Sequence, residues 1–370
     1  MNQEELTILN IGENLDNLMN LDPRGYGVCR ILYSAAREYT KEPLTINSAK
    51  KLISTLKEGD FVYIMTGFVL LPFKKAEMDG IVSSLLLARA LVKGFNVKPI
   101  IVCPRDNIKA VENLSYVIGL HFYDNIEELK EYPLSLAGIS FTKNADEAEK
   151  QADELINKAT PSAVISIECP GANSLGVYHN AVGKDVSALE AKQDILFTKL
   201  KKKGILNIAI GDLGNELGMG TIKEHLEKYV PYAAEGGCSC GCGGGIAASV
   251  KADNIITATV SDWGCYGLIA ALSYLMKNLE IMHTKEMEED ALITASRSGM
   301  IDMYGDLIPA IDGCGMIMNS SIVNLMRESI KSAMKLEKTC ATWFEKVLEL
   351  GFYESQANND FKNEPLENII

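Results

Sequence analysis

The chain has 370 residues, of which 47% are hydrophobic and 23% charged, a globular composition with ample material for a core. Its formal net charge of -13 repels phosphate backbones and anionic lipid surfaces, and no basic stripe offsets it, so neither nucleic acid nor a membrane is expected as a partner. No stretch approaches the roughly 18 apolar residues of a spanning helix, and the acidic start MNQEELTILNIGENL is unlike a basic signal peptide, so a cytoplasmic location is expected.

Residues 4–56 read as helices broken at Asp22-Pro23-Arg24-Gly25. FVYIMTG (61–67) is a β-rich run, and DGIVSSLLLARALVKG (79–94) has helical periodicity with an acidic start and a glycine stop. VKPIIV (97–102), SYVIGLHF (115–122), LAGISF (136–141), AVISIE (163–168), ILNIAIG (205–211) and NIITATV (254–260) read as further strands, with helices between most of them. DLIPAIDG (306–313) reads as a short strand or hairpin, and a long helix follows over 321–350. Strands alternating with helices predict an α/β fold: a mostly parallel sheet sandwiched by helices, with added N-terminal helices and a long C-terminal helix. The expected organisation is one domain, in which a helical segment 1–58 packs on an α/β core 59–353 and a polar tail occupies 354–370. The C-terminal helix can pack on its own sheet or on a second copy, so a homo-oligomer stays open.

In open α/β sheets ligands bind beyond the carboxyl ends of the strands, so acids placed there carry functional weight. Glu77 and Asp79 follow the first strand, Glu168 closes AVISIE, Asp212 follows ILNIAIG, and Asp262 follows NIITATVS. Each can instead cap the next helix. Glu168 fits that alternative least, because Cys169-Pro170-Gly171 is a turn. Converging carboxylates must hold a cation or a proton. Oxygen ligands without a histidine cluster suit Mg²⁺ or Mn²⁺, with Asp79, Glu168, Asp212, Glu216 and Asp262 as candidate ligands. No organic cofactor is expected.

GDLGNELGMG (211–220) embeds Asp212, Asn215 and Glu216 among four glycines. Gly214 and Gly218 allow close backbone approach, so the segment reads as an anion cradle beside an acid, with a plain glycine-rich turn as the alternative. It matches neither G-x-G-x-x-G nor a P-loop. The nine cysteines are odd in number, and several stand singly in apolar elements, as Cys29, Cys103 and Cys265 do, which fits a reducing compartment. CSCGCGGG places Cys238, Cys240 and Cys242 at alternate positions. With no second Cys pair elsewhere, a loop of small residues is favoured there over a soft-metal or redox site. His179 lies in a glycine-rich loop after Glu168 within reach of the pocket, whereas His225 and His283 read as solvated. Arg24, Lys184 and Arg297 sit in turn-like stretches where a cation can pair a substrate carboxylate, and a surface role is equally open. No G-x-S-x-G elbow occurs.

Several of these segments together resemble the D-glutamate cyclase family: TGF and E-x-D-G within 66–80, ECPG at 168–171, GDLGNELGMG, CGGGIAA at 242–248, VSDWGCYG at 260–267 and SRSG at 296–299. The chain departs from the family where Ser261-Asp262-Trp263-Gly264 replaces the usual Ser-Asn-Trp-Gly and where Asp212-Leu213-Gly214 replaces Asp-Gly-Gly. The resemblance implies a lyase that cyclises D-glutamate to 5-oxo-D-proline with loss of water, or hydrolyses the lactam in reverse. For that reaction Glu168 and Asp212 are expected as the catalytic acid and base, with the two roles unassigned. Asp79, Asn215 and Glu216 would bind the amine or a divalent ion, beside Gly80, Gly214 and Gly218, with Arg24, His179 and Arg297 also toward the small acidic amino-acid substrate. Two other readings stay open: a Mg²⁺- or Mn²⁺-dependent phosphohydrolase, and a non-catalytic amino-acid or metal binder.

Overall fold

Aliphatic and β-branched runs form the strands of a computed structural model that describes residues 1–353; the polar tail expected at 354–370 lies outside the described residues. In chain order the strands are β1 (Phe61–Thr66), β2 (Val69–Leu70), β3 (Lys75–Ala76), β4 (Lys98–Cys103), β5 (His121–Tyr123), β6 (Ser135–Ser140), β7 (Ala163–Ile167), β8 (Leu206–Gly211), β9 (Asn254–Thr257), β10 (Ala310–Ile311) and β11 (Cys314–Gly315). Seven of them make one sheet in the order β5-β6-β4-β1-β7-β8-β9, with every pair parallel. β2–β3 and β10–β11 are separate antiparallel hairpins. Strands β1, β7 and β8 are buried along nearly their whole length, as expected of a parallel sheet covered on both faces.

The helices are α1 (Gln3–Met19), α2 (Val28–Thr40), α3 (Leu44–Thr55), α4 (Ile81–Phe95), α5 (Ile108–Val117), α6 (Ile126–Glu131), α7 (Ala145–Lys158), α8 (Gln193–Lys202), α9 (Lys223–Tyr229), α10 (Ser261–Leu275), α11 (Lys285–Arg297), α12 (Met316–Thr339) and α13 (Ala341–Glu349). Right-handed crossovers that run in opposite directions from β1 put α4 and α5 on one face and α7 and α8 on the other. α10 joins the α4 face, with α11 and α12 outside it. One continuous core cluster includes Leu15, Leu32 and Ile46 of the first three helices together with the sheet and Met326 of α12, so the N-terminal helices share the core of the sheet. Asp16 stitches that corner: its buried carboxylate accepts from the N–H groups of Leu44 and Thr45 and from the hydroxyls of Thr45 and Tyr33. No helix among the described residues is long and apolar enough to cross a membrane.

Four sequence expectations are corrected. Most of SYVIGLHF is helix and turn, because Val111, Leu114 and Ile118 recur on one buried face while Tyr116 points outward. The chain turns at Gly119 (φ 75), and only His121–Tyr123 pairs as a strand. α4 stops at Asn96 in the left-handed region (φ 54, ψ 38), and Gly94 lies inside the helix, where a Cβ would meet Ile281 at 3.2 Å. The long C-terminal helix is divided into α12 and α13 at Cys340, whose ψ of 30 breaks the helical path. His283 is buried against Tyr266 rather than solvated.

Candidate active site

Chain order reverses between β1, which leads to β4, and β7, which leads to β8, so a crevice opens outside the carboxyl ends of those two strands. Neighbours β1, β7, β8 and β9 deliver the acids to it, as the convergence argument requires. Glu168 follows β7 with φ 41, a left-handed conformation that costs a non-glycine residue energy and persists only where the surroundings impose it. Here its N–H donates to the Ile210 carbonyl and its own carbonyl accepts from Gly67, both at 3.2 Å. Its Oε2 accepts from the Ser261 hydroxyl at 2.6 Å. Gly80 is forced by this contact, since a Cβ there would lie 2.6 Å from the Glu168 Cβ and 2.8 Å from the Ile167 carbonyl.

Asp79 and Asp262 cap each other's helices. Asp262 Oδ1 accepts from the N–H groups of Gly80 (2.8 Å) and Ser83 (3.3 Å) at the start of α4, and from the Ser83 hydroxyl; Oδ2 accepts from Tyr266 at 3.2 Å. Asp79 in return accepts from Ser261 (3.2 Å) and Asp262 (2.9 Å) at the start of α10. Capping therefore applies to both acids, but across the crevice and not on the next helix in sequence. Asp262 is also outside the groups of acids, among the described residues, whose oxygens lie within 4.8 Å of one another, which removes it from the candidate metal ligands.

Glu216 has a comparable role within its own loop. Oε1 accepts from Asp212 N–H (2.8 Å) and Leu213 N–H (2.7 Å), and Oε2 from Gly214 N–H (2.6 Å). The glycine-rich cradle read from the sequence as a substrate site is thus filled by the chain's own carboxylate. Gly218 belongs to packing: at φ 98, a Cβ would sit 2.2 Å from that of Ala209. Asn215 points away from the acids, its amide donating to the His179 carbonyl at 2.9 Å.

Asp312 joins the site although sequence reading passed over it. It occupies the two-residue turn of the β10–β11 hairpin, where Asp312 (φ 53) and Gly313 (φ 75) both take the positive φ of a type I′ turn. The Asp-Gly pair inside DLIPAIDG was the available signal. Arg24, on the turn between α1 and α2, pairs with Asp312 Oδ2 at 3.0 Å and donates to the Thr259 carbonyl. One oxygen each of Asp79, Asp212 and Asp312 lie within 4.8 Å of one another, and so do those of Glu168, Asp212 and Glu216. Asp212 belongs to both groups.

Burial first, and then mutual repulsion, pushes Glu77, Asp79, Glu168 and Asp212 well above the usual carboxylate range. For Glu168 the Ser261 hydrogen bond opposes this; for Asp212 the chief neighbours are Asp312 and Glu168. Burial also lifts Asp262, to about 6, against the lowering effect of its hydrogen bonds. Burial works against the charge of Arg24, but Asp312 and Asp212 overcome it and keep the guanidinium protonated.

The remaining predicted residues lie elsewhere. Arg297 ends α11, exposed, with no ion pair or hydrogen bond to the acids among the described residues, and Lys184 is exposed in its loop. His179 is buried, but its Nε2 faces sulfur, 3.2 Å from Cys240 Sγ, and not the carboxylates.

Comparison with known proteins agrees with this arrangement of motifs. Human "D-glutamate cyclase, mitochondrial" is 35% identical over 134 residues, which is 36% of this chain and 19% of the human protein. The family described as "D-glutamate cyclase-like, C-terminal" matches residues 15–327, a span that contains every acid of the crevice and the strands that carry them. This chain belongs to the D-glutamate cyclase-like, C-terminal family.

Proposed function

We propose that the crevice interconverts D-glutamate and 5-oxo-D-proline plus water, the activity suggested by the name of the human relative. The observation that carries this reading is the unequal environment of two adjacent acids. Glu168 receives a hydrogen bond from Ser261, which favours its ionised form, whereas Asp212 receives none from the protein among the described residues and stands among Asp312, Glu168 and Glu216. That inequality suits Glu168 to act as the base and Asp212 as the protonated acid.

Ring closure joins the α-nitrogen to the δ-carbon, the carboxyl carbon of the side chain, and expels one of its oxygens as water. The two protons that leave the α-ammonium are the two that the departing oxygen gains, so the acid pair ends in its starting protonation state. Glu168 takes one proton from the nitrogen and Asp212 delivers one to the departing oxygen; the second nitrogen proton then returns to Asp212, and Glu168 gives up its proton to complete the water. Arg24, which pairs with Asp312 and feels the charge of Asp212, would hold a substrate carboxylate in competition with Asp312. A divalent cation, if used, fits Asp79, Asp212 and Asp312, whose hard oxygens suit Mg²⁺ or Mn²⁺. Bound there, it would screen the repulsion among the acids.

The test is NMR of the purified chain with D-glutamate, L-glutamate and 5-oxo-D-proline in separate samples, each with EDTA and with Mg²⁺ or Mn²⁺. Conversion restricted to the D-compounds is expected, and loss of turnover in EDTA would assign the cation a part. Binding of D-glutamate without conversion in any sample would replace the catalytic reading with that of a binding protein.

A further inference from the structure

The fold gathers a second constellation outside the acidic crevice. His179, in the loop after β7, meets Cys238, Cys240 and Cys242 of the glycine-rich loop between α9 and β9, and one ligand-capable atom of each lies within 4.8 Å of the others. The separations are 3.4 Å for Cys238 Sγ to Cys242 Sγ, 3.6 Å for Cys240 Sγ to Cys238 Sγ, and 3.2 and 3.5 Å from His179 Nε2 to Cys240 and Cys242. A tetrahedral zinc ion with Zn–S of about 2.3 Å and Zn–N of about 2.0–2.1 Å requires edges of about 3.8 Å between sulfurs and about 3.6 Å between nitrogen and sulfur. Four independent edges of the cluster thus lie within a few tenths of an ångström of that tetrahedron.

The surroundings are those of a ligand site and not of a loop merely made of small residues. His179 is 1% exposed, and its Nε2 is directed at thiols. The backbone N–H of Cys242 points at Cys240 Sγ (3.5 Å) and that of Gly244 at Cys242 Sγ (3.4 Å), donors that favour sulfur as thiolate. Asn173 adds a side-chain donor to Cys242 Sγ at 3.6 Å. Gly243, at φ 88, provides the left-handed turn that brings this backbone round the sulfurs. The two loops are already laced together, since the Gly183 carbonyl accepts from both Ser239 and Cys240 N–H groups at 3.0 and 3.1 Å. The missing second Cys pair, which argued against a metal from sequence, is supplied by a histidine some 60 residues upstream, at a contact separation of 61 positions from Cys240.

We propose that His179 Nε2 and the thiolates of Cys238, Cys240 and Cys242 bind one Zn²⁺ in a closed, structural site. Binding releases three protons, as three neutral thiols and one dication become a Cys₃His complex of net charge -1. Soft sulfur donors select zinc over the Mg²⁺ or Mn²⁺ suited to the acidic crevice. The ion would clamp the 172–186 loop to the 236–245 loop. Because the His179 carbonyl holds the Asn215 amide, the clamp also steadies the loop that carries Asp212 and Glu216. This proposal does not depend on which reaction the crevice performs.

The experiment uses the full chain, purified, stripped with a chelator and titrated with Zn²⁺ or Co²⁺ under reducing conditions. One equivalent of metal is expected, with a sulfur-to-cobalt charge-transfer band and the intense visible bands of a tetrahedral Co²⁺ ion. Zn²⁺ should displace the cobalt and protect three thiols from alkylation. Cys240→Ser, at the most exposed ligand, should weaken zinc binding by at least the roughly 10–100-fold caused by loss of an outer-shell partner, while Cys314→Ser should leave it unchanged. Wild-type protein alone decides the matter if Cys240→Ser fails to fold. Cobalt bound without a thiolate band, absence of stoichiometric zinc, or a Cys238–Cys242 disulfide in place of the metal would each overturn the proposal.

Discussion

The two walls of the acidic crevice use the same residue types in opposite ways. On the wall formed by the starts of α4 and α10, Asp79 and Asp262 accept backbone N–H groups across the gap, so their charge is committed to holding two helix ends together. On the wall formed by the ends of β7 and β8, Glu168 has one oxygen bonded to Ser261, and Asp212 has no protein donor among the described residues. A buried carboxylate that satisfies orphan N–H groups is structural, because its removal strands those donors. One left with spare lone pairs and a raised proton affinity is available for chemistry. Hydrogen-bond accounting, more than position at a strand end, separates the two kinds.

Glu168→Gln tests the reactive wall, and the largest effect is expected there. The amide keeps the shape and the Ser261 contact but cannot take a proton, so turnover should fall by roughly 10²–10⁴-fold. Removing a carboxylate from a repelling cluster should leave the melting temperature unchanged or higher. Near-normal turnover in a folded variant would remove Glu168 from the base role. An equal loss of stability and activity would move it to the structural wall.

That distinction explains how much was legible in the sequence. The parallel sheet, its alternating helices and the acids after β1, β7 and β8 follow from apolar runs and the residues that end them. Asp262 and Glu216 could be found but not sorted, since their roles depend on donors supplied by α4 and by the loop's own backbone. Asp312 was missed because it belongs to a two-strand hairpin about 100 positions from Asp212, carried to the crevice by packing around α12. The cysteine loop was undervalued for a related reason: its fourth ligand, His179, comes from a different crossover of the sheet.

The structural wall can be broken at Asp262. Asp262→Ala would strand the buried Ser83 N–H group, at a cost of about 1–3 kcal/mol, and would leave the Gly80 N–H with Asp79 and the Tyr266 hydroxyl with Glu288 as their remaining acceptors. Denaturant unfolding should show a loss of about 1–3 kcal/mol. Asp262→Asn retains an oxygen for the α4 N–H groups, and Tyr266 can turn to accept from the new amide. Its stability should stay within about 1 kcal/mol of wild type and its turnover within a few-fold. If the Ala variant were as stable as the Asn variant, reciprocal capping would not be what holds this wall.

A smaller effect lies behind that wall, where Tyr266 connects Asp262 to Glu288 at 2.8 Å, and Glu288 lies 3.7 Å from His283. Proximity suggests an ion pair, but burial raises Glu288 to about 8 and lowers His283 to about 3, so both are neutral near pH 7. Between the ordinary carboxyl value of 4.5 and about 8 the folded state therefore holds a proton at Glu288 that the unfolded chain releases. The stability Glu288 contributes is full below 4.5 and is lost as pH rises through about 8. His283 acts in the other direction, its share being lost as pH falls from 6.5 toward about 3. The two slopes cancel between 4.5 and 6.5, leaving a net decline from 6.5 to about 8 in wild type. Glu288→Gln removes only the carboxyl contribution, and its new amide can donate to the unpartnered His283 Nε2. The stability difference between variant and wild type should climb by about 1.4 kcal/mol per pH unit across that window and level off above it. Parallel stability curves would mean that Glu288 holds its proton no more tightly in the folded protein than in the unfolded chain, and the neutral pair behind Asp262 would be discarded.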